Sequence, residues 1–134
     1  MSNADLPLAE FGFPGELRDR LVAAILSGEK TSTTGLYAEY EEEGARPGEP
    51  GARRLVVDSE GKGVAVIEIT ESRVVPVRDV DVQFAIDEGE GFRSVRDWRA
   101  AHERFWSAYR DEAIDDNTLV VAQRFRLVER LTET

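Results

Sequence analysis

The middle of the chain carries the strongest constraint on its fold, a pattern typical of a β-hairpin. Two apolar runs, residues 55–58 and 63–70, flank the turn sequence Ser59-Glu60-Gly61-Lys62. Residues 72–77 predict a further strand, and Pro76 marks its edge or its end. Residues 118–130 alternate apolar and polar side chains, which predicts a terminal strand. We therefore expect a sheet built from the middle and the C-terminus of the chain.

Helical patterns surround these strands. Apolar residues recur at helical spacing over residues 16–27, and Gly28 follows where a left-handed cap ends a helix. Short helices are predicted over residues 36–43 and 79–88, and a longer one after Ser94, whose hydroxyl is a typical N-cap. Because helices and strands do not alternate regularly, the pattern predicts an α+β fold and not a doubly wound parallel sheet.

Length and composition predict one intracellular domain. The 134 residues suit a single domain, 1–134, whose residues 1–10 form an N-terminal arm. No apolar run reaches the roughly 18–20 residues of a membrane span, and the N-terminus lacks a secretory signal, so we expect a cytoplasmic protein without membrane contact. The absence of cysteine excludes disulfides, thiolate metal sites and cysteine nucleophiles.

Charge restricts the class of partner. There are 17 basic and 27 acidic residues, which gives a net charge of 17 − 27 = −10. A protein that binds duplex DNA through its phosphates carries a basic surface, so we expect no duplex DNA partner. Contact with nucleic acid would be local or aimed at a single nucleoside. Fifteen of the basic residues are arginine, and the two lysines are Lys30 and Lys62.

One of these lysines lies in the segment most suited to chemistry, Gly28-Glu29-Lys30-Thr31-Ser32-Thr33. A lysine directly after a helix, with three hydroxyls behind it, can stabilise an oxyanion or, when desolvated, act as a base. The alternative interpretation is a solvated loop in which Lys30 interacts with the dipole at the helix C-terminus. The pattern alone leaves both open.

Several motifs together resemble the ASCH domain family, a branch of the PUA-like β-barrels. The resemblance runs from about residue 11 to residue 128, and the chain is similar to the larger bacterial ASCH proteins related to the N4-acetylcytidine amidohydrolases. The motifs are Gly28-x-Lys30 with Thr31-x-Thr33, Phe84-Ala85-x-x-Glu88-Gly89-Glu90-Gly91, Trp98-Arg99-x-x-His102-x-x-Phe105-Trp106, and Leu119-Val120-Val121 followed by Phe125.

The resemblance implies a β-barrel with flanking helices and a cleft beside the Gly-x-Lys loop. ASCH domains are expected to bind RNA or a modified nucleoside. In the amidohydrolase branch the functional residues correspond to Lys30, Thr33 and Glu88, and Glu90 competes with Glu88 for the third place. Lys30 and Thr33 point to opposite faces of an ideal strand, so we expect an irregularity between Thr31 and Thr33 that brings them together.

The leading hypothesis is a hydrolase of a modified nucleoside or a related small amide. In this hypothesis Thr33 is the nucleophile, Lys30 activates it or stabilises the oxyanion, and Glu88 handles a proton. The expected substrate-binding residues are Thr31, Ser32, Tyr37, Glu90 and Arg93. The alternatives are an RNA-binding module without chemistry and a ribonuclease.

We expect neither a cofactor nor a metal. His102 is the single histidine, and the sequence has no ligand spacing such as H-E-x-x-H. Because His102 lies on an apolar stripe of the predicted helix, we expect it to be a histidine of the core.

Overall fold

The computed structural model describes residues 5–131. The strands are β1 (Leu8–Ala9), β2 (Ser32–Leu36), β3 (Arg53–Val57), β4 (Gly63–Pro76) and β5 (Leu119–Arg130). The helices are α1 (Glu16–Ser27), α2 (Tyr37–Glu43), α3 (Val82–Asp87) and α4 (Val95–Ser107), and a 3-10 turn spans Val77–Asp79. Within these residues no helix has both the length and the apolar character of a membrane span.

The five strands form one sheet in the order β1-β3-β4-β5-β2. β1 runs parallel to β3, and the other neighbouring pairs are antiparallel. The register shifts between Val66 and Ile67 and again between Ile69 and Glu71, where β4 pairs with β5. Bulges of this kind bend a strand and increase its twist. The hairpin predicted around residues 59–62 is present as the β3–β4 connection.

The α+β class is confirmed, but the closed barrel that the family resemblance implied is wrong. The described sheet is open, with β1 at one edge and β2 at the other. Closing a sheet requires hydrogen bonds between its two edge strands. β1 has only two residues and its single partner is β3, so it does not join the opposite edge. These two residues lie in the predicted N-terminal arm, whose residues 1–4 are outside the described part.

Two apolar clusters cover the two sides of the sheet. On one side, α1 packs its buried residues against β3, β4 and Phe125 of β5. On the other, Phe84 of α3 and the indoles of Trp98 and Trp106 in α4 pack against β5 and Leu36. The interior strand β5 is therefore buried on both faces. The segments that contain the predicted catalytic residues Lys30, Thr33 and Glu88 lie where α1, α3 and α4 meet at β2.

Candidate active site

The Gly-x-Lys segment is positioned by the end of α1. Gly28 has a φ of 88°, in the left-handed region, and its N–H donates to the Ile25 carbonyl, which confirms the predicted C-cap. The backbone then turns back, and the N–H of Lys30 donates to the Ala24 carbonyl at 3.0 Å. β2 begins two residues later, at Ser32. Lys30 is thus held in a turn that is bonded to the helix before it.

The end of α3 packs directly on this turn. The N–H of Thr31 donates to the Asp87 carbonyl at 2.7 Å, and the buried Ser32 hydroxyl donates to the Phe84 carbonyl at 2.8 Å. Gly89 has a φ of 73°, and a Cβ on it would lie 2.8 Å from Cα of Lys30. Only glycine permits so close an approach in this conformation. The packing brings Glu88 next to Lys30.

The Lys30 side chain is buried, with 2% of its surface exposed. Its Nζ donates to the Ser32 carbonyl at 2.8 Å and to the Glu88 carbonyl at 3.3 Å. The same Nζ lies 3.7 Å from Oε1 of the Glu88 carboxylate and 5.7 Å from the centre of the Phe11 ring. An ammonium group has three N–H donors. All three therefore have an acceptor close by within the protein.

The Glu88 carboxylate, on a residue that is 1% exposed, is surrounded by donors from three elements. Its Oε2 accepts hydrogen bonds from the Thr34 hydroxyl at 2.8 Å and from the indole N–H of Trp98. Its Oε1 faces Nζ of Lys30 and Nε2 of His102, the latter at 3.4 Å. β2, α4 and the α1–β2 turn therefore all orient one carboxylate.

Burial and charge shift the pKa values of this group. Burial lowers the pKa of Lys30, and the negative charges of Glu88 and Glu90 only partly oppose that shift. Burial alone would raise the pKa of Glu88, but its hydrogen bond to His102 and the positive charges of His102 and Lys30 hold that pKa below its usual value. The carboxylate is therefore ionised, while the lysine gives up its proton more readily than an exposed lysine.

Glu88 and Lys30 lie on the wall of a cleft of about 1110 Å³ that opens to solvent. Ligand pockets typically measure about 300–1,000 Å³, so the cleft has room for a nucleoside. Its lining is mixed, with apolar rings beside charged groups. Among the lining residues are Phe11, Tyr40, Phe92, Phe105, Trp106 and Tyr109, together with Arg46, Arg104, Thr33, Thr34, Glu90 and His102.

Three potential metal ligands lie together in this cleft. Glu88, Glu90 and His102 offer ligand atoms within 4.8 Å of one another. Carboxylate and imidazole groups suit several divalent cations. Oε1 of Glu88 already faces the Lys30 ammonium, and its Oε2 already accepts two hydrogen bonds. A cation bound to Glu88 would have to compete with Lys30, so this arrangement favours the lysine as the positive partner.

The structure places the predicted catalytic residues in one cleft but does not join all of them. Lys30 and Glu88 are in contact, and Thr33 lines the cleft with no hydrogen bond from its hydroxyl to any described residue. The irregularity expected between Thr31 and Thr33 is absent. β2 pairs regularly with β5 from Ser32 onward, and the Thr31 carbonyl continues the ladder by accepting from Phe125.

Four of the five predicted substrate-binding residues lie outside the lining of the cleft. Glu90 lies at the mouth of the cleft, where the surrounding protein still raises the pKa of its carboxyl. Thr31 and Ser32 bond to α3, and neither lines the cleft. Tyr37, at the start of α2, and the exposed Arg93 also lie outside the lining. The structure thus places one of the five on the cleft wall.

Three groups around Glu88 were not assigned to the site from the sequence. Thr34 donates to the Glu88 carboxylate, because the regular strand turns Thr34, and not the predicted nucleophile Thr33, towards α3. Trp98 and His102 reach Glu88 from one face of α4. The spacing of four residues between Trp98 and His102 places both on one helical face, and this was the sequence signal for their shared contact with Glu88.

Comparisons with known proteins place the chain in a family. The family model described as the ASCH domain matches residues 8–129. No curated protein sequence matches the chain.

Solved structures agree with the family model. Protein EF3133 from Enterococcus faecalis V583, of family DUF984, is 26% identical with a TM-score of 0.80, over 91% of this chain and 76% of that one. An ASCH domain from Lactobacillus crispatus JV V101 is 29% identical with a TM-score of 0.72, over 81% of this chain and 70% of that one. Hypothetical protein PH0355, 18% identical with a TM-score of 0.53 over 80% of this chain and 90% of that one, shares the fold. The chain is a member of the ASCH domain family.

Proposed function

We propose that this ASCH domain hydrolyses the amide of a modified nucleoside or a related small molecule, with N4-acetylcytidine as the reference substrate. The observation that carries the proposal is the buried Lys30–Glu88 pair on the wall of an open cleft. Burying two opposite charges costs several kcal/mol per ion in desolvation, and apolar residues of similar size often give equal or greater stability. A pair kept at a cleft wall therefore supports a chemical role.

The protein's own groups supply the elements of acyl transfer. In the proposed reaction the Thr33 hydroxyl attacks the amide carbonyl from the cleft. β2 is regular and does not bring Thr33 and Lys30 together, so the hydroxyl proton reaches the neutral form of Lys30 through solvent in the cleft, and the ammonium formed stabilises the oxyanion. The lowered pKa of Lys30 makes its neutral form, which can accept this proton, more accessible than in an exposed lysine. When the C–N bond breaks, the proton passes to the leaving nitrogen. Water then cleaves the ester on Thr33, releases the acid and restores the hydroxyl.

Glu88 has a supporting role in this scheme. Its carboxylate lies 3.7 Å from Nζ of Lys30 and opposes the loss of the ammonium charge. It thereby keeps the lysine ready to return a proton to the leaving group. A neutral substrate also suits a chain whose net charge is −10, because a polyanion would be repelled at long range.

A product assay tests the proposal and the choice of nucleophile. Wild-type protein is incubated with N4-acetylcytidine, and cytidine and acetate are measured by chromatography. We expect both products from wild type, a loss of about a hundredfold or more in Thr33→Val, and a smaller loss in Thr34→Val, because Thr34 only bonds to Glu88. Absence of product from wild type would refute this substrate. A larger loss in Thr34→Val would move the nucleophile to Thr34.

The second candidate is an RNA-binding module that uses the same cleft. Arg46 and Arg104 line the cleft, and neither forms an ion pair with a described residue. Guanidinium groups left unpaired in this way can bind phosphate. This candidate predicts binding of single-stranded RNA that weakens steeply with salt. A titration at about 50 mM salt that detects no binding would exclude it, and cleavage of the RNA in the same samples would identify a ribonuclease.

A further inference from the structure

His102 is fixed at both of its ring nitrogens. It lies on α4 one turn after Trp98, and its ring stacks on the Trp98 indole with the ring centres 4.5 Å apart. Nδ1 lies 2.9 Å from the Trp98 carbonyl oxygen, and Nε2 lies 3.4 Å from Oε1 of Glu88. The rings of Phe92 and Trp106 flank it further. The ring therefore has a defined orientation inside the cleft wall.

Both partners of this ring are acceptors. A carbonyl oxygen and an ionised carboxylate accept hydrogen bonds and donate none. A neutral imidazole has one N–H, so it can satisfy one partner and must present a lone pair to the other. Only the imidazolium, with an N–H on each nitrogen, donates to Trp98 and Glu88 together. The two contacts, at 2.9 Å and 3.4 Å, therefore favour the protonated ring.

The charged groups around the ring agree with this state. Glu88 and Glu90, in the segment after α3, present negative charge to it, and Lys30 also faces Oε1 of Glu88. Burial alone would lower the pKa of His102, but the hydrogen bond to Glu88 and its charge more than offset this, so the pKa is raised. Two cations then share one carboxylate oxygen, with Glu90 as a second anion at the mouth of the cleft.

We propose that His102 is a positioning residue that is an imidazolium at neutral pH and holds Oε1 of Glu88 beside Lys30. The effect of His102 on catalysis rests on the proposed function, whereas the protonation state of its ring does not. If the ring loses its proton, one of the two contacts is lost, because the Nδ1–H tautomer turns a lone pair towards Glu88 and the Nε2–H tautomer turns one towards the Trp98 carbonyl. Either change loosens the ring, so the hold of His102 on Oε1 of Glu88 weakens as the pH rises through the pKa of His102.

The single histidine makes the test unambiguous. In ¹⁵N-labelled wild-type protein, two-bond correlations report the protonation of both ring nitrogens, and every imidazole signal belongs to His102. We expect both nitrogens to be protonated at pH 7 and the transition to lie above the ordinary pKa of about 6.5. A neutral ring at pH 7 would overturn the proposal. This measurement needs no substrate, so its result is separate from the outcome of the amide assay.

Two carboxylate variants identify which carboxylate keeps His102 protonated. Glu88→Gln should weaken the proton affinity of His102 about tenfold or more, because an opposite charge at this distance typically shifts a pKa by about 1–3 units. Glu90→Gln is the matched control and should have the smaller effect. A larger effect of Glu90→Gln would overturn the assignment to Glu88. If Glu88→Gln does not fold, the wild-type titration still decides the protonation state.

A kinetic measurement then distinguishes a positioning role of His102 from a role in packing alone. If N4-acetylcytidine is hydrolysed, kcat should fall on the alkaline side with the same pKa that the NMR titration gives. His102→Asn should lose this dependence while the protein remains folded. An alkaline limb that persists unchanged in His102→Asn would contradict the positioning role.

Discussion

At the residue scale, Glu88 shows how a carboxylate is kept ionised without solvent. The Thr34 hydroxyl and the Trp98 indole donate to one of its oxygens, and Lys30 and His102 face the other. Loss of a buried hydrogen-bond donor typically costs about 1–3 kcal/mol. Lys30 depends on Glu88 more strongly than Glu88 depends on Lys30, because Glu88 keeps His102 as a cationic partner, whereas no other described carboxylate lies within ion-pair distance of Lys30.

This asymmetry predicts different costs for the two halves of the pair. Glu88→Gln should lower the free energy of unfolding by about 3–5 kcal/mol, because it leaves a buried ammonium without its carboxylate. Lys30→Met should cost about 1–3 kcal/mol. The double variant should cost less than the sum, with a coupling of about 0.5–3 kcal/mol in urea denaturation. Strictly additive costs would show that the two side chains do not interact.

The sequence could not establish these contacts by spacing alone. Lys30 and Glu88 are 58 residues apart, and their pairing was expected from the family resemblance, not from periodicity. The irregularity predicted between Thr31 and Thr33 is absent for a long-range reason. Predicting a bulge required knowledge of the pairing with β5, and that pairing proves regular from Ser32 to Leu36.

At the element scale, the helix ends were predictable because their signals are local. Gly28 caps α1 as expected, and the Ser94 hydroxyl accepts from the Asp97 N–H at the start of α4. The alternation assigned to residues 118–130 was less informative. Val120, Val121 and Ala122 are all buried, because β5 lies inside the sheet and is covered on both faces. An interior strand need not alternate.

Two glycines allow the packing of α3 on the Lys30 turn to be measured. Gly28 and Gly89 both have positive φ, but a Cβ at Gly28 meets open space whereas one at Gly89 meets the Lys30 backbone at 2.8 Å. Gly28→Ala should therefore cost about 1–2 kcal/mol, the usual penalty of the left-handed conformation. Gly89→Ala should cost clearly more by urea denaturation. Equal costs would show that α3 is not seated tightly on this turn.

At the scale of the whole molecule, the buried charges predict how stability varies with pH. Glu88 has a lowered pKa, so its contribution is complete above its ordinary value of 4.5 and is lost as the pH falls through the folded value. His102 has a raised pKa, so its contribution is complete below 6.5 and is lost as the pH rises through the folded value. Both contributions are complete between 4.5 and 6.5.

Thermal unfolding between about pH 5 and pH 8 tests whether His102 contributes stability that is lost as the pH rises. The pKa of Glu90 is raised, so Glu90 adds to the loss of stability as the pH rises. The pKa of Lys30 is lowered, so Lys30 acts in the opposite sense. The comparison of wild type with His102→Asn isolates the histidine. The variant should lose less stability than wild type over this range, and parallel curves would contradict the contribution of His102.

The arrangement of the sheet was only partly accessible from the sequence. The hairpin between β3 and β4 and the α+β class follow from local patterns. Whether the sheet closes depends on its two edge strands, and β1 is only two residues long. No local pattern could distinguish an open from a closed sheet. The cleft that contains Lys30 and Glu88 results from this long-range arrangement.

The central claim is that the buried Lys30 performs chemistry in this cleft, and the two lysines of the chain allow one direct measurement. We would compare kcat/KM for release of cytidine from N4-acetylcytidine in wild type, Lys30→Ala and Lys62→Ala, where Lys62 is exposed in the β3–β4 turn. The account predicts a loss of about a hundredfold or more in Lys30→Ala and nearly unchanged activity in Lys62→Ala. Equal activity of the two variants would contradict it.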